Sequence, residues 1–463
     1  MPLMSSISKY LAYPAWELKD RSQRLRMLKE LERTQWLPEN ELRQRQWKKL
    51  IEILEYAYIN CPYYKNKFDA IGMRPSAIKK ENDFASIPTL TKKEVQTNTE
   101  ALISGLYKKS ELVTAKTGGS TGKSLKLYFE TRCQELRNAA AFRSDRWAGW
   151  DLGGKRAALW GNPPAHDTLK KKIRNLLLDR TIYLDTIGLN EKSMLEFIDM
   201  YRVYKPTIIF GHSHSIYMLA LFIQKEKIDG IKPDGIISTS MMLMPHEREL
   251  IEKVLKCKVT NRYGCEEVGL IGSECELHDG LHLNIDHLYI EFIKDDGSAA
   301  LPGEPGSIIV TDLINHGMPL IRYKIEDVGV PSARICPCGR GLPLMEKVSG
   351  RVADFLVKRD GTLVAGVSLI EKTLTAIHGI SQMQIVQEEI DRIIVNIVPD
   401  DLYDKGAETA LKKEFSSVFG NRAGAALEIN HVENIPQDRS GKYRFAVCRI
   451  SPETREKNHD ARG

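Results

Sequence analysis

Between Asp151 and Val259 the chain alternates short apolar runs with stretches of helical spacing, and this pattern narrows the possible folds more than any other feature. Thr207-Ile208-Ile209-Phe210 and Gly235-Ile236-Ile237-Ser238 are unbroken runs of the kind a strand buried on both faces requires. Met194, Leu195, Ile198 and Tyr201 recur at helical spacing before the first run. Ile216, Leu219, Ala220 and Ile223 do so between the two, and Leu250, Ile251 and Val254 follow them, ahead of a short strand near Val259. Parallel neighbours need a crossover of a dozen or more residues, most often a helix. The alternation therefore predicts a parallel sheet with covering helices.

The flanking regions read differently. Trp47, Leu50, Ile51, Leu54, Ala57 and Tyr58 lie on a packing helix that must stop near Asn60 and Cys61, because Pro62 cannot continue it. From Leu281 to Arg322 strands are punctuated by turns: His287 to Ile293, Asp295-Asp296-Gly297, Pro302 to Gly306, then Ser307 to Thr311. That portion is expected to be antiparallel or barrel-like. Beyond Gly350-Arg351 the order strand, turn at Asp360-Gly361, helix, strand at Ile393 to Val398, helix, strand marks a smaller α+β unit. The expected fold is thus α/β, with a large multi-layer N-terminal domain over 1–350 and a small mobile α+β C-terminal domain over 351–463. The large one combines parallel sheet with helices and a barrel-like part. No internal repeat is visible.

Charge and cysteine usage exclude several classes. With 67 basic and 61 acidic residues the net charge is +6, which suits anionic substrates and is too small for a nucleic-acid footprint. Lys170-Lys171-Lys172 is too short for a polybasic tract. The opening Met1 to Tyr13 lacks a basic region followed by an apolar stretch, and no window approaches the ~18 apolar residues of a membrane span. A cytoplasmic protein without a transmembrane segment is expected. In that setting eight cysteines point to metal before disulfide. Cys336 and Cys338 sit two apart on a Pro- and Gly-rich turn, while Cys275, His278 and His282 share a second short loop. A structural Zn²⁺ held by three thiolates and one imidazole fits these types, with His282 the preferred fourth ligand and His278 close behind.

Thr117-Gly118-Gly119-Ser120-Thr121-Gly122-Lys123-Ser124 offers small residues, hydroxyls and one cation for wrapping phosphate oxygens. The nucleotide-binding loop of kinases and NTPases needs four residues between its first Gly and its Gly-Lys-Ser, and Thr117 stands at that first position instead. A P-loop phosphotransferase is demoted accordingly. His212 and His214 follow a predicted strand where loops of α/β sheets meet substrate, and His212 is a candidate wall of an acyl pocket.

Four further segments follow in order: Tyr263-Gly264-Cys265-Glu266-Glu267, Arg322-Tyr323-Lys324-Ile325-Glu326-Asp327, Gly350-Arg351-Val352-Ala353-Asp354, and Pro436-Gln437-Asp438-Arg439-Ser440-Gly441-Lys442. As an ordered set with the glycine-rich loop they resemble the adenylate-forming superfamily. The Cys336-Pro-Cys338-Gly-Arg340 run and Tyr63-Tyr64 resemble the branch of phenylacetate-CoA ligases and the adenylating proteins found with capsular-polysaccharide biosynthesis. The resemblance spans about Gln46 to Arg444. It implies an ATP-dependent, AMP-forming carboxylate ligase: a small carboxylate attacks the α-phosphate of ATP, and the acyl group passes to CoA or to an amine such as an amino sugar.

The same resemblance assigns roles. Thr117, Gly118, Gly119, Ser120, Thr121, Gly122 and Lys123 would hold the phosphates. Tyr263 and Gly264 would lie against the adenine, Asp327 would accept the ribose hydroxyls, and Arg351 would touch ribose or phosphate. Glu267 would hold Mg²⁺, and Lys442 would offset the charge that builds on the phosphate oxygens. Ser124, Glu266, Met241, Met242 and Ala353 depart from the usual residues. Glu266 sets a like charge beside Glu267, and the departures at 241 and 242 remove a glycine and an acid near the acyl pocket. A catalytically inactive nucleotide-binding protein is the alternative from another class.

Overall fold

The computed structural model describes residues 3–117, 125–161, 163–165, 167–241, 243, 245–294, 296–349, 355–360, 362–400, 402–420, 422, 426–433, 435 and 446–450. An antiparallel pair, β1 (Val113–Thr117) and β2 (Leu125–Phe129), precedes a long sheet. The sheet is built from β3 (Arg156–Trp160), β4 (Thr181–Asp185), β5 (Ile208–His212), β6 (Gly235–Thr239), β7 (Val259–Cys265), β8 (Gly269–Ser273), β9 (Leu281–Leu283), β10 (Leu288–Ile293), β11 (Gly306–Asp312), β12 (Tyr323–Pro331) and β13 (Leu344–Ser349). Their order is β10-β11-β12-β13-β9-β8-β7-β6-β5-β3-β4. From β4 to β7 every pairing is parallel, and from β7 to β10 every pairing is antiparallel.

The apolar runs explain the parallel half. Ile209 and Ile236 face a core closed by Phe197, Ile198, Ile216, Leu219 and Ile251 of the covering helices. Ile208 and Ile237 point the other way, onto Leu28, Leu31, Ala139 and Ala140. All four isoleucines are fully buried, so neither face leaves room for an alternating polar residue. Burying each contributes ~1.5–3 kcal/mol. Gly235 opens β6 because a Cβ there would lie 1.8 Å from the carbonyl oxygen of Ala148.

The helix Glu39–Asn60 ends at the residue before Cys61, and Pro62 opens the next helix, Pro62–Ala70. Within Glu191–Tyr204 the buried register is Met194, Phe197, Ile198 and Tyr201, whereas Leu195 is exposed. Phe197 takes the place expected of Leu195, since it keeps the three- and four-residue spacing of one helix face.

A second core belongs to the C-terminal portion. There β14 (Phe355–Val357) pairs with β15 (Leu363–Ala365), and β16 (Ile380–Glu389), β17 (Arg392–Pro399), β18 (Glu428–His431) and β19 (Ala446–Cys448) form a sheet of order β18-β17-β16-β19. Leu369, Ile385, Val395, Leu411 and Phe415 fill its interior. Ile187, on the short turn Thr186–Gly188, inserts into this core from the large sheet's side. Large sheet-and-helix domain and smaller α+β domain together form the expected fold class. Among the described residues no helix is long and apolar enough to cross a membrane.

Candidate active site

The Tyr263–Glu267 motif, on the end of β7 and the turn after it, and the Arg322–Asp327 motif on β12 belong to strands that are not neighbours in the sheet, and side-chain contacts join them. Tyr263 Oη donates to Asp327 Oδ2 at 2.9 Å, and Tyr323 Oη donates to Glu267 Oε1 at 3.3 Å. β7 and β12 are separated by β8, β9 and β13, so the antiparallel half must curl for these bonds to form. A ladder shift between Tyr263 and Gly264 turns the end of β7, and a Cβ on Gly264 would lie 2.6 Å from Gly269 O. Only glycine fits that approach. Arg322, just before β12, and Glu326 within it both have positive φ (52° and 71°), two strained positions on the approach to Asp327.

Burial sets the protonation of this cluster. The phenol of Tyr323 is raised well above its ordinary value, first by burial and then by Glu267, so it stays a neutral donor to that carboxylate. Glu266 is raised by burial, opposed by Arg137 and reinforced by Glu267. The departure at 266 therefore disfavours a second ionised carboxylate beside Glu267.

Arg137 is a site residue that the sequence did not reveal. Its Nη2 donates to Glu267 O at 2.7 Å and to Asp312 Oδ2 at 2.6 Å, and Nη1 reaches Glu266 O at 3.4 Å. Both Arg137 and Asp312 are buried. The pair locks the turn carrying Glu267 to the end of β11, and its members stand 175 positions apart in a chain with many arginines.

At the C-terminal ends of the parallel strands a second group gathers. β3 is followed by β4 on one side and β5 on the other, which makes the crevice beyond β3 and β5 the sheet's switch point. Trp160 ends β3 and His212 ends β5, with ring centroids 4.3 Å apart. His212 is buried, its Nδ1 has no partner among the described residues, and burial lowers it to about 4. It is a neutral imidazole at neutral pH. Beside it, Ser213 Oγ bonds Ser238 Oγ at 2.6 Å and donates to Met241 O at 2.9 Å, holding Ser240 at φ 65°.

Thr117 ends β1, but residues 118–124 lie outside the described residues, and so do Arg351, Ala353, Met242 and Lys442. The side chain of His214 is likewise outside them.

The cysteines and histidine on β9 converge. Cys275, His282, Cys336 and Cys338 have ligand atoms all within 4.8 Å of one another. Cys275 Sγ is 3.7 Å from Cys336 Sγ, and Cys338 Sγ is 3.4 Å from His282 Nε2. A tetrahedral ion with sulfur bonds of ~2.3 Å sets its sulfurs ~3.8 Å apart, so the donor set fits zinc in type and spacing. His282 Nδ1 lies 3.0 Å from Leu342 O, which directs Nε2 to the thiols. Backbone N–H groups of Leu277 and Arg340 reach Cys275 and Cys338 at 3.5 Å. His278 is not in the group. It has φ 54°, and its Nδ1 lies 3.6 Å from Glu274. All eight cysteines are free thiols.

The CapK C-terminal domain family matches residues 356–449. Protein CapK of Staphylococcus aureus is 26% identical over 420 residues, 89% of this chain and 90% of that protein. Phenylacetate-coenzyme A ligase of Escherichia coli is 27% identical over 332 residues, 69% and 73% of the two chains. The relatives of this chain are thus CapK and the phenylacetate-coenzyme A ligases. A crystal structure of 2-hydroxyisobutyryl-CoA ligase in complex with 2-HIB-AMP and CoA superposes with a TM-score of 0.61 at 18% identity. It covers 92% of this chain and 94% of that one, a likeness of fold.

Proposed function

We propose that this ATP-dependent carboxylate ligase converts a small or aromatic carboxylate to its acyl-adenylate with release of pyrophosphate, then transfers the acyl group to CoA. The observation that carries the reading is the pair of bonds Tyr263–Asp327 and Tyr323–Glu267, which joins two motifs far apart in sequence into one cluster.

In-line attack at phosphorus places negative charge on the phosphate oxygens, and fixed donors and cations lower that barrier. Asp327, anchored by Tyr263, accepts ribose hydroxyls and fixes the nucleotide's register. Glu267 keeps one oxygen engaged by Tyr323 and offers the other, while Arg137 holds its backbone. Mg²⁺ bound there would neutralise phosphate charge, and a carboxylate oxygen is the ligand that ion prefers. Lys442 and Arg351 supply further cations. His212 and Trp160 wall the acyl pocket with a neutral ring and an indole, which suits a small or aromatic acid. The cluster Cys275, His282, Cys336 and Cys338 holds a structural Zn²⁺.

The near full-length similarity to CapK, against about 70% of the chain for the phenylacetate-CoA ligases, favours a second reading in which an amine accepts the acyl group. ATP–pyrophosphate exchange with a panel of carboxylates finds the acid. Thioester formation with CoA then supports the first reading, and amide formation without CoA consumption supports the second.

A further inference from the structure

The helical stretch at the beginning of the described chain is inside out. Leu3–Ile7, Ser8–Ala12 and Tyr13–Asp20 run on from one another. Their buried side chains are Ser5 and Ser8, while Leu3, Tyr10, Leu11 and Leu18 are 63–83% exposed. At helical spacing these four fall on one side of the stretch, the reverse of a surface helix that buries its apolar stripe.

The orientation is fixed by contacts. Ser8 Oγ donates to Leu177 O at 2.5 Å, Arg180 Nη1 to Ser5 Oγ at 3.3 Å, and Gly153 approaches so closely that a Cβ would lie 2.4 Å from Ser5 O. Alongside runs the helix Leu169–Arg174 with its continuation Asn175–Asp179, tied on by Tyr13 Oη to Leu178 O at 3.1 Å. On it Leu169, Ile173 and Leu176, spaced four and three apart, are 47–74% exposed. Two adjoining segments thus each leave large apolar side chains in solvent.

Their charges are mostly basic: Glu17 is held by Arg24, and Asp20 is the exposed acid of the first segment. Asp167 and Asp179 are taken by Lys171 and Arg174. Lys19, Lys170 and Lys172 are exposed and have no acidic partner among the described residues. Trp16 lies under Lys19 and Arg174, with the cations 4.4 and 5.1 Å from its ring. Exposed Leu and Ile beside Trp, Tyr and lysines is the composition of a surface that lies in a membrane interface.

We propose that this face seats on an anionic lipid surface, its apolar side chains entering the headgroup boundary and its lysines lying against lipid phosphates. A twofold contact between two copies fits less well, because it would bring Lys170 and Lys172 toward their own counterparts.

Flotation of the full chain with vesicles tests this. Binding is expected to phosphatidylcholine mixed with phosphatidylglycerol, to be weak with phosphatidylcholine alone, and to fall with salt. Lys170→Glu with Lys172→Glu, and separately Leu11→Ser with Leu18→Ser, should each lower partitioning by about tenfold or more. Melting temperature should not move, since all four side chains are exposed. Lys79→Glu with Lys93→Glu, an equal charge change elsewhere, should leave partitioning alone. Absence of flotation with anionic vesicles overturns the proposal. So does self-association in light scattering that Leu11→Ser with Leu18→Ser abolishes, which assigns the surface to a second copy.

Discussion

Replacing Cys338 by alanine removes one of three thiolates from a donor set whose spacing already matches a tetrahedral ion. The remaining Cys275, Cys336 and His282 leave an open position, and affinity falls. With free ion at ~1,000 times its dissociation constant, a site in the folded state alone contributes ~4 kcal/mol. An unfolding entropy of ~2.1 cal/mol/K per residue over 463 residues amounts to ~1 kcal/mol/K. Loss of the ion then lowers the melting temperature by about 4 °C for unfolding as one unit. Elemental analysis of purified protein should find one zinc per chain, with calorimetry showing the drop in Cys338→Ala and in chelator-treated wild type. His278→Ala should change neither, because that ring faces Glu274. A metal-free wild type indifferent to chelator would refute the reasoning, as would a His278→Ala protein that loses zinc while Cys338→Ala keeps it.

Three further outcomes concern Arg137, Glu266 and Gly153. Arg137→Met leaves Asp312 as an uncompensated buried charge and frees the Glu267 turn; a loss of ~3–5 kcal/mol in urea unfolding is expected, together with weaker adenylation. For Glu266, raised by burial, the folded chain retains a proton that the unfolded chain releases as pH climbs from the ordinary 4.5, so stability falls through that window. Glu266→Gln should raise the melting temperature at neutral pH, the difference closing below 4.5. Gly153→Ala puts a methyl group into the Ser5 carbonyl at a residue with φ 80°, and limited proteolysis should cut the displaced N-terminal helices sooner.

The parallel half was legible because its isoleucine runs are buried on both faces, and a strand open to water on one side would have alternated with polar residues instead. The zinc candidates were legible from type and spacing. Which histidine belongs was decided by the pairing of β9 with β13, which sets His282 opposite Leu344 beside the cysteine loop. Arg137 and Asp312 were not legible, since a buried ion pair between distant positions leaves no local pattern. The positive φ of Ser240 was hidden as well, because serine there carries no mark of the turn that Ser213 and Met241 impose. The helices over Leu3–Asp20 were not legible for a related reason. Leu3, Tyr10, Leu11 and Leu18 face outward, so they offer no core-seeking pattern against a partner.

ATP–pyrophosphate exchange with a panel of carboxylates, run beside Lys442→Ala and Glu267→Ala, tests the central claim most directly. The account predicts exchange with at least one acid and a loss of about 10²–10³ in each variant, the scale of removing one group that stabilises transition-state charge. Absence of exchange with every acid, or exchange undiminished in both variants, would contradict it.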